Sequence, residues 1–237
     1  MEESGLDSAF GGELLSESVK RLLLDRIMQG HYKPGERIVE MRLAKELGTS
    51  QSPVREALRD LAAIGVVAIH SRRGARVRMP TSKELADVSL VRSEVDALAA
   101  RLAVPHLEDK TIDEMQGAYD EMLACLERRD YLGMTRADAR FHRIIAMTSA
   151  NHAVARVFDQ LEPFARTFIT LTLPNVDVRA IVFEHKDILA ALERRDPQAA
   201  AERARTHQVN VSNLLRDHYG LGPESRPEDE EPSAAAS

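Results

Sequence analysis

The sequence predicts a mostly α chain in two parts: a small N-terminal unit of three helices and a β-hairpin, then an all-α antiparallel bundle of about six helices. Three observations lead there. Aromatic residues are only 4% of the 237 and Trp is absent, so apolar volume must come from Leu, Ala, Val, Ile and Met, which suits helix-on-helix packing. Two short β-prone runs, 66–70 and 75–79, stand next to each other around Ser71-Arg72-Arg73-Gly74, the pattern of one hairpin. Charge is also unevenly divided. Residues 13–80 carry 13 Lys and Arg against 8 Asp and Glu, a net of +5, whereas residues 81–218 carry 18 against 22, a net of −4. A net charge of −6 overall therefore conceals a basic head on an acidic body, which favours a polyanionic partner for the head.

Residues 1–12 and the Pro-, Glu-, Ser- and Ala-rich, acidic segment 220–237 read as disordered tails. The head is expected over 13–79. Its first helix, about 14–29, carries an apolar stripe of Val19, Leu22, Leu23 and Ile27 and is capped by Gly30. Lys33-Pro34-Gly35 is a turn. A short helix over 39–47 closes at Gly48, and Thr49 to Ser52 is a polar turn. Ser52 then reads as N-cap with Pro53 in the first helical position, opening a helix through Val54, Leu58 and Leu61 to Ile64 that ends at Gly65. With the basic hairpin behind them, these three helices make a winged helix-turn-helix.

Pro80-Thr81 marks the boundary to an all-helical unit over 80–219. Its segments are read as about 82–104, 111–129, 131–149, 151–173, 176–194 and 197–218. The breakers between them are Pro105, Asp130, Asn151, Pro174-Asn175 and Asp196-Pro197, and Pro163 is expected to kink the fourth segment. The lone Cys125 allows no internal disulfide and reads as a small buried apolar residue. No basic segment followed by an apolar run opens the chain, and nothing approaches the ~18 apolar residues of a membrane span, so a cytoplasmic location without membrane contact is expected. A nucleophile elbow, a Gly-rich phosphate loop and a His-Glu-x-x-His motif are all absent from the sequence, and no enzyme is expected.

The candidate DNA-reading residues follow from how a helix-turn-helix docks: its second helix enters the major groove with its N-terminal end toward the bases. Ser50, Gln51 and Ser52 precede or open that helix, and Arg55 and Arg59 lie one turn apart on one face. Arg suits guanine, Gln suits adenine and Ser suits either bases or phosphates. Arg42 lies on the preceding helix, while Arg72, Arg73 and Gly74 form the wing tip, placed for phosphate or minor-groove contact. The competing reading is that Arg55 and Glu56 make ordinary helix-surface ion pairs.

The body carries a second constellation. Asp138 and His142 are i and i+4 on one helix and so share a face; His185 begins an apolar-periodic stretch with Ile188, Leu189 and Leu192; His207 lies midway along the last helix. Three imidazoles and a carboxylate suit a borderline divalent metal, zinc first, with nickel, manganese or iron as alternatives. Spacing alone leaves open that these are ordinary helix positions. Arg92 matches a carboxylate bidentately; its pairing with Glu94 or Asp96 is the rival, at offsets read here as poor for a helix.

Taken together, Lys33-Pro-Gly-Glu-Arg-Ile, Leu43-Ala-Lys-Glu-Leu-Gly, Ser52-Pro-Val-Arg-Glu-Ala-Leu-Arg-Asp-Leu and Arg73-Gly-Ala-Arg-Val resemble the winged-helix head of the GntR family. Gln51 departs from the Arg often found there and puts one base contact in question. Val91-Arg-Ser-Glu with the Ala-rich 97–103, Asp138-Ala-Arg-Phe-His142, His185-Lys-Asp-Ile-Leu-Ala-Ala-Leu and His207 resemble the FCD ligand-binding domain of the FadR-type subfamily, in its six-helix, VanR-like branch. That resemblance implies a homodimeric transcription regulator, by family habit a repressor, on a short palindromic operator in double-stranded DNA. It also implies a metal held by Asp138, His142, His185 and His207, and a small carboxylate effector gripped by Arg92. Two rivals remain at this point: a metal-dependent hydrolase recruited to DNA, and a metal-free regulator of a larger apolar effector.

Overall fold

The structure is a computed structural model that describes residues 14–71, 73–172 and 176–218. Both expected tails, Arg72 at the wing tip and the Pro174-Asn175 breaker lie outside the described residues. In the head, α1 (Leu15–Met28), α2 (Glu40–Glu46) and α3 (Gln51–Ala63) are joined by β1 (Arg37–Ile38), β2 (Val67–His70) and β3 (Gly74–Val77). The strands form one antiparallel sheet in the order β1-β3-β2. Strand β1 goes beyond the expected hairpin. Two residues are too few to show alternation, and only the pairing of Arg37 with Arg76 and Ile38 with Ala75 defines them. Gly74, at φ +76°, closes the β2–β3 turn in a conformation that side chains other than Gly's resist.

Helix α3 begins earlier than expected. Ser50, not Ser52, is its N-cap residue, and Pro53 is the third helical position. The first turn of any helix contains N–H groups without intrahelical partners, so a proline there removes nothing the helix needs. Ser52 spends its hydroxyl on Glu56 Oε1 at 3.3 Å.

The body consists of α4 (Ser82–Ala103), a 3-10 turn at Val104–His106, α5 (Asp109–Glu127), α6 (Tyr131–Thr148), α7 (His152–Thr172), α8 (Arg179–Glu193) and α9 (Pro197–His218). Caps set several boundaries. Thr81 accepts the Glu84 N–H, Asp130 that of Gly133, and Asp177 that of Arg179. The last explains why α8 starts three residues later than the expected 176. Helix α7 runs unbroken through Pro163; one missing backbone hydrogen bond is outweighed by the burial of Phe158, Phe164 and Ala165 around it. Helices α4 and α9 lie antiparallel along each other, since Ser212 donates to the Ala86 carbonyl while Arg205 pairs with Glu94.

Two apolar clusters hold the chain together. The body's cluster centres on Met115, Met122, Phe141, Ile188 and Leu192, and includes Cys125, buried as expected. The head's cluster gathers Leu23, Ile27, Leu43, Val54, Leu58 and Leu61, and it also takes in Leu85 of α4, Phe164 and Phe168 of α7 and Leu215 of α9. Head and body thus share a core. Arg78 fastens the junction with two hydrogen bonds to the Glu84 carboxylate, at 2.7 and 3.0 Å, and lies 5.6 Å over the Phe164 ring. Gly65 lets this happen: at φ +79°, its Cβ would stand 3.3 Å from Phe164.

Candidate metal centre and nucleic-acid interface

The face of α3 expected to read DNA is open. Ser50, Gln51, Ser52, Arg55 and Arg59 are all exposed, as are Arg42 on α2 and Arg73 on the wing, with Gly74 half-buried beside it. Apolar residues of α3 (Val54, Ala57, Leu58, Leu61) face the core, so helical periodicity puts the polar set outward. Arg55 does make a surface ion pair, as the competing reading has it. Its Nε donates to Glu40 Oε2 on α2 at 3.1 Å, which ties the two helices of the motif together, and half of its side chain remains exposed. Two further arginines went unforeseen: exposed Arg37 and Arg76 face each other across β1 and β3, with Arg76 donating to the Gly35 carbonyl. The outward alternation of Ala75-Arg76-Val77 was the signal for Arg76; Arg37 needed the unseen strand.

In the body, Asp138, His142, His185 and His207 come together as expected, each offering one ligand atom within 4.8 Å of the others. Helix α6 places Asp138 one turn before His142, α8 supplies His185 and α9 supplies His207. Phe141, fully buried, packs edge-on to the rings of His142 and His185 and fixes their planes. His185 Nε2 lies 3.0 Å from Asp138 Oδ1 and 3.2 Å from His142 Nε2.

The far nitrogens of the three rings are also engaged. His185 Nδ1 meets the Val182 carbonyl at 3.1 Å, His207 Nδ1 meets Glu184 Oε2 at 3.1 Å, and His142 Nδ1 lies 3.5 Å from Asp96 Oδ2. Each acceptor favours the Nδ1–H tautomer and leaves Nε2 a lone pair aimed into the cluster. Glu184 is held by Asn210 and Asp96 by Gln208, at 2.7 and 2.8 Å. Sequence reading missed this outer layer because its partners lie far apart in the chain.

The electrostatics agree with a cation site. Burial pushes the His142 imidazolium down to about 3, helped by the neighbouring imidazoles and opposed by Asp138 and Asp96. Burial and His185 likewise hold His207 well below the usual range. Burial alone would raise the Asp138 carboxyl, but the close approach of His185 Nε2 and the charge that the three rings carry when protonated overcome it and keep it far below the ordinary carboxylate range. Neutral imidazole lone pairs facing one another around an ionised carboxylate repel unless a cation lies between them. The donor set therefore fits a borderline divalent ion.

Arg92 is buried in α4 and lines the same cavity. Its Nη2 pairs with Asp96 Oδ2 at 3.2 Å. This corrects the reading of that offset as poor: i and i+4 is the favourable helical spacing. The pair does not exhaust the guanidinium, whose Nε is buried without a hydrogen-bond partner among the described residues.

Residues 15–77 match the family described as bacterial regulatory proteins, gntR family, and residues 87–210 match the FCD domain. The chain belongs to the GntR family. It is 32% identical, over 82% of its length and 85% of the relative's, to a protein of Paenarthrobacter nicotinovorans described as a "Probable D-xylose utilization operon transcriptional repressor". It is 26% identical to the Glc operon transcriptional activator of Escherichia coli K12, over 86% of the chain and 89% of that protein. Among solved structures, E. coli McbR/YncC superposes with a TM-score of 0.77 at 22% identity, covering 87% of this chain and 99% of that one, a likeness of fold. This GntR-family member is a DNA-binding transcription regulator with an FCD domain. Among its described residues no helix is long and apolar enough to cross a membrane.

Proposed function

We propose that the protein is a cytoplasmic, homodimeric repressor that releases a short palindromic operator when a small organic acid binds beside a metal ion in the body. Residues 13–79 form the DNA-binding unit and 80–219 the effector-binding and dimerisation unit. The observation that carries this reading is the convergence of Asp138, His142, His185 and His207 beside a cavity that buried Arg92 also lines, with the Arg92 Nε unpartnered among the described residues. A bound zinc, nickel, manganese or iron ion supplies Lewis acidity that anchors a carboxylate oxygen. Arg92 grips the carboxylate, and Asp96 orients Arg92.

The cavity wall explains how binding reaches the DNA. Ile169, Val211 and Leu215 line the cavity, and the same three residues pack with the head's apolar cluster. A ligand that moves them alters how the head seats on the body, and a modest change in the distance between two heads suffices to mismatch half-sites about one turn apart. Repression is supported by the 32% identical relative. On α3, Gln51, Ser52, Arg55 and Arg59 read bases, assisted by Ser50; Arg42, Arg72, Arg73 and Gly74 position the backbone. Arg92→Ala tests the effector half of this reading. It should keep the metal and the dimer, by elemental analysis and sedimentation, yet lose the thermal shift produced by carboxylates. Loss of both metal and carboxylate response, or of neither, contradicts the roles assigned.

A further inference from the structure

The anchor for a carboxylate occupies only one end of the cavity. The remaining wall is made chiefly of aliphatic and thioether side chains, among them Met134, Ile169, Val178, Val211, Leu214 and Leu215. Few polar groups there have capacity to spare. The Thr135 hydroxyl is shared with Thr170 Oγ1 at 2.8 Å and lies near the carbonyls of Tyr131 and Leu132. Gln208 Nε2 is committed to Asp96. His185 Nδ1 is turned to the Val182 carbonyl and His207 Nδ1 to Glu184. Among the described residues, the groups left to hold a charged ligand are the guanidinium of Arg92 and the four-donor cluster, neighbours through Asp96, which meets both Arg92 and His142. The cavity's free volume is about 60 Å³, which favours a short tail over a long one.

From this lining we infer that the effector is a monocarboxylate with a short, compact apolar tail, and that polyhydroxylated sugar acids are discriminated against. The inference rests on the reading of Arg92 and the four-donor cluster as the carboxylate's anchor. A hydroxyl carried into the aliphatic wall loses its water and finds no partner, a penalty of roughly tenfold or more in affinity for each such group. A methylene in the same place gains roughly fourfold. The tail also points to the side chains shared with the head's core, Ile169, Val211 and Leu215, so tail size and the regulatory response are linked.

The test is calorimetric titration of the full chain, loaded with zinc, with acetate, butanoate, hexanoate, octanoate and gluconate. Affinity should rise roughly tenfold from acetate to butanoate, reach its maximum at butanoate or hexanoate and fall at octanoate, with gluconate weaker than butanoate. Gluconate binding more tightly than butanoate, or equal affinity from acetate to hexanoate, overturns the inference. Failure of every acid to bind while zinc is retained overturns the anchor reading itself, and this inference with it. Two substitutions at the apolar end move selectivity in opposite directions. Val211→Phe should lower the hexanoate-to-acetate affinity ratio about tenfold, and Val211→Ala should shift the maximum toward octanoate. An equal change for all acids in both variants would assign Val211 a purely structural part and overturn the placement of the tail.

Discussion

The residues assigned to DNA in the head and those assigned to the ion in the body are placed under opposite rules. On α3, Gln51, Ser52, Arg55 and Arg59 stand outside the core, and the fold below them is carried by Val54, Leu58 and Leu61. In the body, His142, His185 and His207 are buried in the bundle itself, with Phe141 packed against two of them. The head can change its reading residues with little effect on its stability. The body cannot change its ligands without repacking, because the same atoms serve site and fold.

Substitutions can break that comparison. His185→Ala should have the largest effect. It removes a fully buried ring that meets Asp138, His142 and the Val182 carbonyl, and should cost about 2–4 kcal/mol of stability as well as the ion. Thermal melts and elemental analysis check this, and the head should still bind DNA non-specifically. Arg55→Ala should do the reverse, weakening operator binding by about 1–3 kcal/mol per half-site with a stability change within about 0.5 kcal/mol. Because Arg55 also meets Glu40, Glu40→Gln is the sharpening control. An equal loss in both variants on a quantitative operator-binding assay would mean that Arg55 only ties α2 to α3.

The body's buried imidazoles also predict a pH response. His142 is held down near 3 and His207 well below its ordinary value, so the unfolded chain takes up these protons first. Their contribution to stability is complete above the unfolded value of ~6.5 and is lost as pH falls below it, by about 1.4 kcal/mol per pH unit for each ring at most. Denaturant unfolding of chelator-treated protein between pH 7 and pH 5 should show the decline. Since His142 and His207 are already neutral there in the folded state, their titration should not weaken ion binding over the same range. The smallest effect belongs to the wing: Arg73→Ala should weaken all DNA sequences alike and reduce the salt slope of binding by about one.

Much of this was legible in the sequence, and the gaps have physical reasons. Asp138 and His142 announce a shared face through their i, i+4 spacing, and the exposed set on α3 follows from the apolar periodicity of Val54, Leu58 and Leu61. Two-residue β1 carries no pattern to read. Asp96 and Glu184 escaped because their roles come from contacts with His142, Gln208, His207 and Asn210 on other helices. Phe164 and Phe168 of α7 belong to the head's cluster, a placement that the local pattern of their own helix does not announce. Helical spacing could have revealed the Arg92–Asp96 pair.

The convergence of Asp138, His142, His185 and His207 is proposed as a metal centre tied to the body's stability. Elemental analysis of wild-type protein purified without chelator, paired with thermal melts after chelation and after adding back zinc, nickel or manganese, tests it directly. About one divalent ion per chain is expected, with a lowered melting temperature on chelation and its recovery with metal. Protein that carries no metal and melts at the same temperature with or without each ion would contradict it.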